Sequence, residues 1–183
     1  ELRDLSMPSV RFEVRLLSRE GKNALSASGA DEVSFVMSAN AGEALGPISR
    51  IASGGELSRI MLALKNVFAE KDSVDALIFD EIDTGVSGVA AQRVAEKLAS
   101  LGRTKQVLCV THLPQIAAMA QQQYLVEKAE HGGRTYTNIR LLDREGRRYE
   151  LARLSGGDMI TDIQLAGAEE LLARDERFRA SLS

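Results

Sequence analysis

The chain has 183 residues, 26 acidic against 23 basic side chains, and a formal charge of −3 at pH 7. Hydrophobic residues make up 44% and charged residues 27%, the balance of a folded domain with a core of its own and not of a disordered tail. A single cysteine, Cys109, excludes an internal disulfide framework, two histidines exclude a zinc finger, and the near-neutral balance excludes an electrostatic sponge for nucleic acid. A local basic patch stays compatible with these numbers. The longest apolar runs fall far short of bilayer-spanning length and no signal-peptide core opens the chain, so a cytoplasmic protein is expected. The first residues, Glu1 to Leu5, lack an initiator Met, and a piece of a longer protein is expected.

In chain order, VRFEVRLL at 10–17 alternates Val10, Phe12, Val14 and Leu16 with Arg11, Glu13 and Arg15, the period of a half-buried strand. Residues 21–31, rich in Gly, Ser and Ala, read as a loop, 33–38 as a second strand pairing with the first, and 39–50 as loop again. Leu57, Ile60, Met61, Leu64, Val67 and Phe68 recur at helical spacing and predict an amphipathic helix from Gly55 to about Glu70. The apolar run Ala76–Phe79 suits a strand covered on both faces. Residues 89–101 read as helix, 106–110 as a second buried strand, and Pro114 opens a further helix. This alternation argues a parallel sheet with helical crossovers. A hairpin follows, 124–128 with 135–142, turned at 131–133, and helices at 148–154 and 161–173 complete the chain. Ser155–Gly157 repeats the Ser-Gly-Gly triplet of Ser53–Gly55 with no long amphipathic helix after it, and is expected to be a loop.

Three segments carry candidate chemistry. Ser53, Gly54, Gly55 and Glu56 stand before the long helix, where paired glycines and unpaired N–H groups suit a phosphate; Ser-x-x-Glu is equally a capping box that needs no ligand. ALIFDEID at 76–83 delivers Asp80 and Glu81 to the carboxyl end of a strand, where parallel sheets bind ligands. Asp80 could there hold Mg²⁺ and Glu81 polarise a water, or both acids could simply end the strand. His112 ends the next strand, able to touch a terminal phosphate or to serve as a hydrogen-bonded loop residue. Cys109 and His112 point to opposite faces of that strand and lack the partners of a zinc site, so Cys109 reads as core.

Taken together, IASGGELSRIMLALK, ALIFDEIDTGVSG and QVLCVTHLPQIAAMA resemble the ATP-binding-cassette ATPases. Glu56 after the glycines, rather than Gln, leans towards the SMC-like branch, and the three segments resemble the carboxy-terminal half of the ATPase head of bacterial double-strand-break repair proteins within it. The resemblance runs from about Phe12 to Ala173. It implies an α/β half-head of a P-loop NTPase fold, mostly parallel sheet flanked by helices with an antiparallel portion, spanning 1–183 as one segment with 1–5 as a possible coiled-coil stub. It implies ATP and Mg²⁺ as ligands. Asp80 would support the metal, Glu81 would activate the attacking water, and His112 would contact the γ-phosphate. Ser53, Gly54, Gly55 and Glu56 would meet the nucleotide of an opposing head, and Asp83 would be the D-loop residue at that interface. The partners implied are the amino-terminal half of the head, a second head across an ATP-bridged dimer, and DNA through the full-length protein; no membrane is implied.

The chain contains no G-x-x-x-x-G-K-[ST]; its Gly-Lys pair at 21–22 is followed by Asn23 and lacks the first glycine. No coiled-coil heptad tract is present either. In the resembled family the phosphate-binding loop comes from the amino-terminal half, so this chain by itself is expected to be a poor ATPase. Two other readings stand beside it, a DNA-engaging or interaction module that keeps the fold, and half of another ATPase completed by a separate P-loop subunit. Arg144, Arg147 and Arg148 are the best local basic group, readable as a DNA contact or as a solvated turn. Arg59 reads as a charge near phosphates or as a solvated or ion-paired side chain.

Overall fold

The computed structural model describes residues 1–5, 7–21, 25–38, 41–48, 54–69, 71–157 and 159–182. The alternating segment near the amino terminus forms β1 (Arg11–Ser18), antiparallel to β2 (Asp31–Ser38), with β3 (Gly46–Pro47) on the far side of β2. Their register pairs Phe12 with Met37, Val14 with Phe35 and Leu16 with Val33, which gathers an apolar face as the sequence predicts. Burial of that face is confined to one end. Met37 is sealed against Met7 and Ile60, while Phe12, Val14, Leu16, Val33 and Phe35 stay exposed. The expectation of a half-buried strand is corrected here, because no described element covers the hairpin beyond Met37.

The predicted amphipathic helix is α1 (Gly54–Phe68). It leads to β4 (Ala76–Phe79), α2 (Gly88–Leu101) and β5 (Gln106–Cys109), with β4 and β5 parallel and in the register Ala76↔Gln106 to Phe79↔Cys109. This is the helical crossover between parallel strands read from the alternation. Leu77, Phe79, Val107 and Cys109 face inward on a core made with Leu62 and Ala63 of α1, Val94, Leu98 and Leu101 of α2, and Leu5. The opposite face is open, with Ile78 75% and Val110 63% exposed beside exposed Leu108. The expectation of strands covered on both faces is therefore corrected to burial on one face, since helices lie on only one side of the pair.

After the short α3 (Pro114–Met119) come β6 (Tyr124–His131) and β7 (Arg134–Leu141), an antiparallel hairpin closed by Gly132 and Gly133. Both turn glycines have positive φ, 60° and 73°, the requirement of a two-residue turn matched to strand twist. Tyr124, Val126, Ile139 and Leu141 stand together and exposed on one face of it.

α4 (Arg144–Gly156) begins four residues before its predicted start because Asp143 caps it, accepting from the Gly146 N–H at 2.8 Å. It ends on Gly157, with φ 80° and an N–H donated to Arg153 O at 2.8 Å. The second Ser-Gly-Gly is thus the end of a helix and not a free loop. α5 (Asp162–Ser181) starts with a Thr161–Gln164 capping box and runs well past its predicted end at residue 173. Apolar spacing thins there, and what holds the extra turns is tertiary: Phe178 packs on the main core and Arg179 donates to the carbonyls of Ala118 and Met119.

The basic group Arg144, Arg147 and Arg148 of α4 is engaged within the chain. Arg144 pairs with Glu169 and Glu176, Arg148 with Glu145, and buried Arg147 donates to the carbonyls of Ala117, Ala118 and Ala120 and to Gln123. Arg144 and Arg147 therefore connect α4 to α5 and α3, and the burial of Arg147 departs from the expected solvated turn.

Asp175, fully buried on α5, accepts from Arg174 through Oδ1, leaves Oδ2 without a hydrogen bond, and has its pKa pushed up by burial against the pull of Arg174, Gln92 and Arg179. A carboxyl whose folded pKa is raised lends its full stability below the ordinary carboxylate range and loses it as pH rises through the folded value. Asp175→Asn is therefore expected to gain in stability relative to the parent chain as pH rises from acid to neutral. Urea unfolding at both pH values checks this, and a constant offset would count against it.

Candidate functional site

The parallel register brings the ends of β4 and β5 level, and the pairing continues one step further through Val110 N–H to Phe79 O at 3.0 Å. Asp80–Glu81 and Thr111–His112 consequently leave the sheet side by side. Asp80 is exposed; its Oδ1 accepts the Glu81 N–H at 3.0 Å, and its carbonyl accepts from Ser58 Oγ of α1 at 2.9 Å. Among the described residues no group of three or more His, Cys, Asp or Glu side chains could hold a metal ion. An exposed carboxylate next to phosphates is nevertheless the donor set that Mg²⁺ uses, since it keeps waters and substrate oxygens for its other positions.

Glu81 has φ 56°, a left-handed conformation that costs a non-glycine residue roughly 1 kcal/mol or more and collects at functional sites. The turn directs its side chain at α1. A Cβ built on Gly54 would lie 2.6 Å from Glu81 Oε2, and one on Gly55 would lie 2.8 Å from Thr84 Cβ and 3.0 Å from the carbonyl oxygens of Glu81 and Thr84. The predicted phosphate-type helix start and the predicted acidic strand end are thus one neighbourhood. Glu56 is half-buried on the first turn of α1, and its charge favours the cationic form of Arg59. Ser53 lies outside the described residues.

Arg59 departs from both of its expected roles. It is 6% exposed, and its Nη1 donates to Thr84 O at 2.8 Å and Ile82 O at 3.5 Å. Burial, opposed by Glu56, lowers its pKa. It ties α1 to the backbone on either side of Asp83. A signal was present in the sequence, since Gly55, Arg59, Leu62 and Ala63 form one buried stripe at helical spacing.

For Asp83, expected at an interface with a second head, the structure gives its contacts within its own chain. Asp83 is 4% exposed and turned into the protein, where its Oδ2 accepts from Thr111 Oγ1 at 2.6 Å and from His112 N–H at 2.9 Å and lies 3.0 Å from His112 Nδ1. The ring of His112 remains outside, with its side chain 73% exposed. Thr111, in the same candidate segment as His112 but with no role assigned from the sequence, is a member of this cluster. Cys109 is core as predicted: burial, reinforced by the charges of Asp83 and Asp80, pushes its thiol up to about 12, leaving it protonated and unreactive at neutral pH.

No protein-family model matches the chain. The DNA repair protein RecN of Halalkalibacterium halodurans is 46% identical over 173 residues, covering 94% of this chain and 31% of that protein. RecN of Treponema pallidum is 46% identical over 181 residues, with 97% and 32% covered, and RecN of Bacillus subtilis 40% over 193 residues, with 99% and 34% covered. Among solved structures, the Smc head domain with a coiled coil and joint from Pyrococcus yayanosii aligns with TM-score 0.55 at 20% identity, covering 83% of this chain and 27% of that one. The fold is that of part of an Smc head domain, and the chain spans about a third of the length of the curated relatives it matches. By sequence, the chain matches a segment of the RecN proteins, and by fold part of an Smc head.

Proposed function

We propose that this chain is the carboxy-terminal half of an ATP-hydrolysing, RecN-like head acting in double-strand-break repair and recombination, within the cytoplasm and its nucleoid. The observation that carries the reading is the convergence of Asp80, Glu81 and His112 at one edge of two parallel strands, against the glycine start of α1. Asp80 would hold Mg²⁺, which neutralises phosphate charge when bound. Glu81 would orient and deprotonate the attacking water from its strained turn, and His112 would stand beside it at the terminal phosphate. The amino end of α1, with Ser53, Gly54 and Gly55, would receive the nucleotide of a second head.

The sequence has no phosphate-binding loop, so that loop would come from the amino-terminal half. The open faces support such a partner: Ile78, Leu108 and Val110 on the parallel pair, and Tyr124, Val126, Ile139 and Leu141 on the second hairpin. Apolar patches of this kind mark surfaces that another element covers. A DNA-engaging role for the segment alone finds no support at Arg144, Arg147 and Arg148, whose guanidinium groups are engaged with neighbouring acids and carbonyls.

Mixing this chain with the amino-terminal segment of its parent protein is expected to produce ATP turnover that neither piece gives alone. Turnover by this chain unaided, or none in a mixture that binds, would overturn the assignment.

A further inference from the structure

Between β4 and α2 the chain turns over residues 80–84, and the turn is closed by the Thr84 N–H on Glu81 O at 3.1 Å. Near its start stands Glu81, with φ 56°. A left-handed residue other than glycine persists only where its surroundings over-determine it, so something must hold this turn. One face of α1 does so. Gly55, Ser58 and Arg59 are three and four residues apart and stand on the same side of the helix. Gly55 lies so close that an added Cβ would be 3.0 Å from Glu81 O. Ser58 Oγ donates at 2.9 Å to Asp80 O, in the peptide group that leads into Glu81. Beyond Glu81, Arg59 Nη1 donates to Thr84 O at 2.8 Å and reaches Ile82 O at 3.5 Å.

Arg59 is an expensive side chain for that place. It is 6% exposed, its Nε makes no hydrogen bond, and burial lowers its pKa. An apolar side chain of similar size would fill the space without desolvating a charge, but it could not hold the carbonyls. We propose that Ser58 and Arg59 are positioning residues for Glu81: by fixing the carbonyls on either side of it, they keep its left-handed turn and hold its carboxylate against the start of α1. This deepens the ATPase reading above and rests on it for its chemistry. Both residues act through Glu81 and not on the nucleotide.

Two measurements on the completed protein, this chain together with the amino-terminal segment of its parent, test the proposal. The first is the backbone itself. In crystals, Glu81 is expected at positive φ in the parent protein and at negative φ in Arg59→Met, which keeps most of the side-chain volume and loses the donors. Positive φ retained in Arg59→Met overturns the proposal, whatever the activity. Ser58→Ala removes one hydroxyl from a partly exposed helix position and spares the fold, so it carries the kinetic test even where Arg59→Met does not fold.

The second measurement is a double-mutant cycle on ATP turnover. Arg59→Met is expected to lower kcat about 10- to 100-fold with KM nearly unchanged, the loss that follows from a misplaced reacting group. Ser58→Ala should lower it about 3- to 10-fold, the equivalent of one hydrogen bond. In a Glu81→Gln background each substitution should change kcat by less than about twofold, because its effect passes through the carboxylate. Losses of equal size in both backgrounds would make Ser58 and Arg59 merely structural and sink the proposal. Absence of turnover in the completed parent protein would instead strike the ATPase reading, and the φ of Glu81 would still decide the positioning role.

Discussion

Glu81→Gln in a protein that carries the missing half should retain ATP binding, lose turnover by about 10²- to 10³-fold, and accumulate paired heads. The size follows from what a positioned general base contributes to proton transfer, on the order of 10²–10⁴. The substitution keeps the shape of the side chain that lies against Gly54 and the left-handed turn that aims it, and removes only its basicity. Stability should barely move, since Glu81 is exposed. ATP would then remain in place because nothing consumes it, and sedimentation or light scattering with ATP would read the pairing. Unchanged hydrolysis would remove Glu81 from the role of base.

The second large effect is expected at Gly55, with Gly54 as its internal control. A methyl at Gly55 meets Thr84 Cβ at 2.8 Å and two backbone carbonyl oxygens at 3.0 Å, none of which is the end of a flexible chain. The loop of residues 81–84 must shift, and Thr84 O is the same oxygen that accepts from Arg59. Overpacking of this kind costs about 1–3 kcal/mol, more than the roughly 0.5–1 kcal/mol that alanine regains in helix propensity. Gly55→Ala should therefore destabilise the chain in urea unfolding. At Gly54 the nearest obstacle is Glu81 Oε2 at 2.6 Å, a side-chain end that can swing aside. Gly54→Ala should leave stability within about 0.5 kcal/mol of the parent, the range of changes that avoid core and backbone, yet lower turnover by turning Glu81 away. Equal stability losses at the two glycines would refute this division of roles.

Much of this architecture could be read before any coordinate. The helical stripe from Leu57 to Phe68, the β4–α2–β5 crossover and the glycine-turned hairpin all lie where their periodicities place them, because period and turn chemistry are local properties of the chain. The acids at 80–81, His112 and the glycines of α1 were legible for the same reason: each stands at the end of an element that its own neighbours define. Arg59, Thr111 and the inward turn of Asp83 were less so. A buried arginine or aspartate looks like a surface charge until the carbonyls and hydroxyls that satisfy it are known, and those partners are 23 to 29 positions away.

By itself, then, the sequence determined which elements form, in which order, and which side chains reach the carboxyl edge of the parallel strands. Tertiary structure alone decided burial and partnership. It left one face of β4–β5 and most of the first hairpin uncovered, since apolar alternation specifies a face but not whether anything lies against it. It also drew Asp83 inward to His112 and Arg59 across to the loop that carries Asp83, because a desolvated charge settles where the fold supplies its hydrogen bonds.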